Sequence, residues 1–328
     1  MPKQGWYWVE DFVKVGFKYE PVIADRILAK GEKMIVLGPS EAGKSYLLLQ
    51  LAMELATGGS FFGRDVARAF RTVIVQSEVT EGEYQERVVK LLPAFAETLK
   101  SEMLAIVTTE DGKVNTEKGM ALMSGLVEAV RPEVLMLDPL RAFVEGDEND
   151  SAVGDKFFEG IAKLQALTET PFTFVAAHHV RKPGQDSWDD GKYAARGSGI
   201  WTDRPSTVLA LSVNAAQTEW GLKYLKTRAR ASHPSEQKLR VDRASGLFDV
   251  VVDGAAVVRM DVVKKMVGDV GRMTGEVKDD IVKECGVSHR EAERWLIVAE
   301  RDGVIEKVAD GANRAKRVIR LISVKEGE

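Results

Sequence analysis

KMIVLGPSEAGKSYLLLQLA, residues 33–52, runs from an apolar stretch through a glycine-bounded octet into a second apolar stretch. Residues 38–45 fit the pattern G-x-x-x-x-G-K-[ST], which carries chemistry only where a strand precedes it and a helix follows. Both conditions hold: MIVL is a short aliphatic run, and KSYLLLQLAMELAT has helical length. Gly38, Pro39, Ser40, Glu41, Ala42 and Gly43 form the loop, whose amide groups curl round a phosphate because glycine tolerates backbone angles that other residues resist. Lys44 then neutralises the β- and γ-phosphates, Ser45 offers its hydroxyl to Mg2+, and Tyr46 follows in the first helical turn. ATP and Mg2+ are the expected cofactors.

Outward from this loop, strands are expected at 33–38, 72–78 (TVIVQSE), 103–108, 134–138 (VLMLD), 172–179 (FTFVAAHH) and 206–212. Helical stretches separate them at 44–57, 81–95, 117–130 and 155–168. Such alternation marks an α/β protein with a mainly parallel sheet covered by helices. Beyond residue 206 the helices stop, and LKYLKT, QKLRVD and LFDVVVD follow one another across polar turns, as antiparallel strands extending a sheet edge do. From residue 259 the helix-period patterns MDVVKKMV, EVKDDIVKECG and HREAERWLIVAERDG precede a two-stranded tail. That is the order of a winged helix-turn-helix, with its turn at 285–287. The expected division is an N-terminal arm at 1–30, an ATPase core at 31–255 and a winged helix at 256–328. The aromatic run GWYWVEDFVKVGF in the arm is expected to cover a sheet edge or to pack on a neighbour, since aromatics mostly supply buried area.

The 328 residues include 46 Lys and Arg against 50 Asp and Glu, a net charge of −4, so any nucleic-acid contact has to be local. A single cysteine, Cys285, excludes an intramolecular disulfide, and no apolar run reaches the roughly 20 residues of a membrane span. A cytoplasmic chain without a membrane partner is expected.

Asp138 ends the run VLMLD, where a second carboxylate of an MgATP site belongs. A strand-end aspartate is common by itself; its pairing with the upstream loop makes it informative. Pro139 follows it, so the carboxylate that orients an attacking water has to come from elsewhere. Glu78, closing TVIVQSE, is the candidate: with that strand beside the loop's strand, it projects from the carboxyl edge toward the γ-phosphate. Glu81, Glu83 and Glu86 read instead as a solvated helix face.

The phosphate loop, a glutamate on the next strand and a Walker B aspartate with no glutamate after it resemble the RecA-like ATPases. The runs IVQSE, DPLRAFVEGDEND, AHHVRK and ARGSGIWTD, in that order, resemble the RepA-type hexameric replicative helicases of plasmids and phages, over about residues 20–235. The resemblance implies a RecA-like core that hydrolyses ATP at the subunit interfaces of a homo-hexamer moving on single-stranded DNA. It implies a phosphate-sensing role for His178 and His179, at the end of a strand next to the Walker B strand. It also implies that the pair Lys226 and Arg228, on one face of a strand, reaches the neighbour's γ-phosphate, where an arginine in trans accelerates transfer by about 10³ to 10⁵. The long polar segment 181–199 stands where RecA-like proteins place a DNA loop, with Lys182, Lys192 and Arg196 facing phosphates and Trp188 or Tyr193 stacking a base.

In the tail, Arg290 and Arg294 mark a recognition helix, although Glu291 and Glu293 interrupt its positive face, so DNA contact and protein contact both stay open. A DNA helicase is the leading expectation. A strand-annealing or recombinase-like ATPase, and an ATP-switched regulatory DNA-binding protein, are the alternatives.

Overall fold

The structure, a computed structural model, describes residues 7–16, 18–179, 199–214, 216–227, 236–251, 260–268 and 272–285, together with 292, 295–297, 299–300, 304–309 and 317–321. The chain divides into two compact units, Met1–Val250 and Val251–Glu328.

In the first unit the helix α1 (Val9–Val15) precedes a small hairpin of β1 (Pro21–Ile23) and β2 (Leu28–Ala29). There follow β3 (Lys33–Gly38), α2 (Lys44–Thr57), a second small hairpin of β4 (Ser60–Phe61) and β5 (Arg64–Asp65), β6 (Thr72–Gln76) and α3 (Glu81–Leu91). Next come β7 (Leu104–Thr108), α4 (Glu117–Val130), β8 (Val134–Asp138), α5 (Ser151–Gln165), β9 (Thr173–His179) and the short α6 (Ile200–Asp203). The unit ends with β10 (Thr207–Val213), β11 (Trp220–Lys226), β12 (Glu236–Val241) and β13 (Phe248–Val250). Nine strands share one sheet in the order β13-β12-β11-β10-β3-β9-β8-β6-β7. From β10 to β7 every neighbouring pair is parallel, whereas β11, β12 and β13 continue antiparallel beyond β10.

The central strands are apolar throughout because both of their faces are covered. In β3, Met34 and Val36 enter one core while Ile35 and Leu37 enter the other; in β8, Val134 and Met136 part in the same way from Leu135 and Leu137. The helix α2 and Tyr84 and Leu91 of α3 pack on the first face, α4 and α5 on the second. Local chemistry fixes the helix starts. Thr80 accepts from the Glu83 amide while the Glu83 carboxylate accepts from the Thr80 amide, a reciprocal cap that begins α3. Asp150 caps α5, so that helix starts four residues before the expected 155.

Four expectations need correction. The strand β6 does not lie beside β3, because β9 and β8 stand between them. It also ends at Gln76, which leaves Glu78 in the following turn. Residues 21–29, expected within the arm, belong to the core, where Ile23, Ile27 and Leu28 are fully buried. Nor do Trp8, before α1, and Phe12, within it, cover an edge: both are exposed, and the helix buries no residue.

In the second unit, α7 (Met260–Val267) and α8 (Thr274–Cys285) accompany a three-stranded antiparallel sheet of β14 (Arg272–Met273), β15 (Ile305–Ala309) and β16 (Arg317–Leu321), in the order β14-β16-β15. Its core gathers Val263, Val267, Val277, Ile281, Trp295 and Ile319. Gly286 and Val287 of the expected turn, with Arg290 and Arg294, lie outside the described residues. Among the described residues no helix is long and apolar enough to cross a membrane.

Candidate nucleotide site

All six parallel strands point their carboxyl ends to one edge, and the pairing register decides which residues meet there. Gly38 stands opposite His179, Leu37 opposite His178, and Gln76 opposite Asp138. Between the end of β3 and the start of α2 the loop holds Glu41 at φ 65° and Gly43 at φ 90°. At Gly43 the positive φ and the close approach both demand glycine, since a Cβ there would come within 2.9 Å of the Phe248 ring. Lys44, Ser45 and Tyr46 then occupy the first turn of α2, whose amides have no acceptor within the helix, and the Leu47 amide returns to the Gly43 carbonyl. Such a turn presents donors to an anion.

The side chain of Lys44 is folded back into the loop. Its Nζ donates to the carbonyls of Gly38 (2.9 Å) and Pro39 (2.7 Å) and lies 3.2 Å from Nδ1 of His179. An ammonium only donates, so Nδ1 accepts and the imidazole carries its proton on Nε2. Asp138, buried at the end of β8, is joined to the Ser45 hydroxyl. Burial pushes its carboxyl up to about 6, the Ser45 hydrogen bond and Lys44 and Arg87 pull it down, and the nearby charge of Glu78 adds to the rise. A buried carboxylate and a serine hydroxyl side by side are hard oxygen donors, the set that suits Mg2+ completed by phosphate and water. The residues present therefore fit the expected cation.

Glu78 is exposed in the turn after β6, and Gln76 shapes that turn. The Oε1 of Gln76 accepts from the amides of Glu78 (3.1 Å) and Val79 (3.2 Å), while its Nε2 donates to the Val79 carbonyl (2.8 Å) and the Thr108 hydroxyl (2.9 Å). His178 is fully buried, with its ring 5.5 Å from that of Trp201, whose Nε1 donates to the Glu148 carbonyl. The Tyr46 ring is occupied by packing: the Arg87 guanidinium lies 5.5 Å from its centre, and a Cβ on Gly246 would fall 2.6 Å from it. What Tyr46 offers a ligand is thus its amide.

The antiparallel extension backs the loop. Trp220 Nε1 donates to the Ala42 carbonyl (3.1 Å), and the Gln50 amide binds both the N–H (2.8 Å) and the carbonyl (2.9 Å) of Phe248.

The structure thus brings Lys44, Ser45, Glu78, Asp138 and His179 to one edge. Lys226 lies elsewhere, its Nζ donating to the Thr202 and Asp203 carbonyls at the end of α6 in its own chain. Arg228, Lys182, Lys192 and Arg196 lie outside the described residues. Sequence reasoning missed Gln76, Gln50 and Arg87. A glutamine inside an otherwise apolar run, as in TVIVQ and LLLQLAM, is the signal that marks two of them, because a buried amide has to find partners.

A family model described as an AAA domain matches residues 7–185. The flagellar accessory protein FlaH from Methanocaldococcus jannaschii is similar over 69% of this chain and 93% of its own, at 15% identity and a TM-score of 0.47. A KaiC-like protein from Pyrococcus horikoshii OT3 is similar over 72% and 99%, at 16% identity and a TM-score of 0.49. No curated protein matches.

Proposed function

The chain belongs to the AAA domain family, and from that premise we propose that it is a RecA-like P-loop ATPase that hydrolyses ATP to move on single-stranded DNA as a hexameric helicase. The observation that carries ATP hydrolysis is the meeting of Lys44, the Ser45–Asp138 pair and Glu78 at one sheet edge. Lys44 leaves the Gly38 and Pro39 carbonyls for the phosphates, and the amides of the first turn of α2 hold the phosphate oxygens. Ser45 and Asp138 would hold Mg2+, which would neutralise charge on the transferring phosphoryl group. Glu78 orients the attacking water and takes its proton. Once Lys44 moves, Nδ1 of His179 is released, and the polypeptide following β9 is informed that a nucleotide is bound.

DNA translocation and the ring rest on the run of motifs from IVQSE to ARGSGIWTD, with Lys226 and Arg228 acting across the interface and the segment 181–199 on the strand. The C-terminal unit is proposed as a winged helix. Measuring ATP hydrolysis with and without single-stranded DNA, then unwinding of a forked duplex, tests the whole reading. Stimulated hydrolysis with directional unwinding is expected, and Lys44→Ala abolishes both. Stimulation without unwinding would leave a strand-annealing ATPase. Hydrolysis indifferent to DNA would overturn the motor.

A further inference from the structure

Trp220 opens β11, with its backbone fixed between Val213 of β10 and Leu239 of β12. Its ring meets that of Phe248 edge-on, with centres 6.1 Å apart, and Gln50 holds Phe248 in turn at both its N–H and its carbonyl. From this seat the indole Nε1 donates to the Ala42 carbonyl at 3.1 Å, a contact between residues 178 positions apart. An indole N–H only donates, and the acceptor it holds here lies inside the phosphate loop. The peptide unit from Ala42 to Gly43 is trans and planar, so its C=O and its N–H point in opposite directions. Fixing the Ala42 carbonyl on Trp220 therefore fixes the Gly43 N–H on the side away from Trp220. The hold matters because of what Gly43 is. A glycine at φ 90° passes to other backbone angles at little cost, so this one peptide can rotate about ψ of Ala42 and φ of Gly43. That rotation would put an acceptor where a donor stood, and an anion is attracted by an N–H and repelled by a carbonyl.

We propose that Trp220 is a positioning residue of the nucleotide site: by keeping the Ala42 carbonyl turned outward, it presents the Gly43 N–H to the phosphates. The inference rests on the ATPase reading and deepens it, since it names the side chain that sets the polarity of one loop peptide.

Ala42-Gly43 is the only Ala-Gly pair in the sequence. Isotope labelling of alanine at its carbonyl carbon and of glycine at its nitrogen therefore singles out the Gly43 amide in a magnetic-resonance spectrum of the full chain. The variant is Trp220→Phe, which keeps a ring against Phe248 and removes the donor. In the wild type the Gly43 amide proton is expected to move downfield when a non-hydrolysable ATP analogue is added, as a proton does on donating to a phosphate oxygen. In Trp220→Phe that movement is expected to shrink, and affinity for the analogue to fall by a factor of roughly 3 to 10, which corresponds to one hydrogen bond. A Gly43 proton that stays in place while the wild type binds the analogue would overturn the proposal, whatever the variant does. So would one that moves as far in Trp220→Phe as in the wild type. A wild-type chain that does not bind the analogue at all would overturn the ATPase reading instead, and a titration shows that failure before any variant is made.

Discussion

Asp138 carries its charge at an energetic disadvantage in the metal-free protein. Its folded value of about 6 lies above the ordinary 3.8, so between these the folded chain binds the proton more tightly than the unfolded one. Stability from this group is complete below about pH 4 and lost as pH rises through 6, a swing of about 3 kcal/mol. In EDTA at neutral pH, Asp138→Asn is therefore expected to melt at a higher temperature than wild type while losing Mg2+-dependent nucleotide binding. Equal melting temperatures would show that burial is not costing the carboxylate. The second residue-scale expectation concerns Gln76→Leu, which strips partners from the Glu78 and Val79 amides and the Thr108 hydroxyl. Hydrolysis should fall about tenfold or more with nucleotide affinity nearly unchanged, because the turn that aims Glu78 loosens while the phosphate loop is untouched. Steady-state hydrolysis beside a fluorescent-nucleotide titration separates the two effects. At this scale Lys44, Ser45 and Asp138 were legible as a group, since the chemistry of phosphate and of a hard cation dictates such residue types. Gln76 and Arg87 were not, since their work is to hold other residues and depends on neighbours far away in sequence.

At the scale of elements, the strands were legible where both faces are buried, as in MIVL and VLML, because burial leaves an uninterrupted apolar run. Their order in the sheet was not. Proximity in sequence favours proximity in space, yet two strands separate β6 from β3, and only the interposed β9 and β8 bring Asp138 between the loop and Glu78. The antiparallel extension was legible as strands but not as the backing of the loop. Its contribution is measurable. Phe248→Ala removes a ring that is 4% exposed and presses on Gly43, and should cost about 3–5 kcal/mol in denaturant unfolding. It should also weaken nucleotide binding, because the loop backbone loses the wall that fixes its curvature. Nucleotide affinity equal to wild type in the folded variant would show that the loop keeps its shape unaided.

Over the whole molecule, every described residue of the nucleotide site belongs to the unit Met1–Val250, and the second unit has a core of its own. A chain ending at residue 250 is expected to unfold cooperatively and to bind the ATP analogue with the full chain's affinity within about twofold, since every described residue of the site lies in the first unit. Calorimetry and a binding titration decide this, and a loss of affinity would assign the second unit a part in the site. The α/β architecture could be read from alternating patterns alone. The exposure of Trp8 and Phe12 could not, because aromatic content says that a segment is sticky, not where it lies.

Among the described residues Lys44 has three acceptors within its own chain, two loop carbonyls and the His179 imidazole. The loop is consequently a competitor of the phosphates for Lys44. Nucleotide affinity is a difference between two fully hydrogen-bonded arrangements, and a ligand displaces the first only by returning as many acceptors as Lys44 gives up. The clustered oxygens of a triphosphate do so; a lone hydroxyl on a sugar does not.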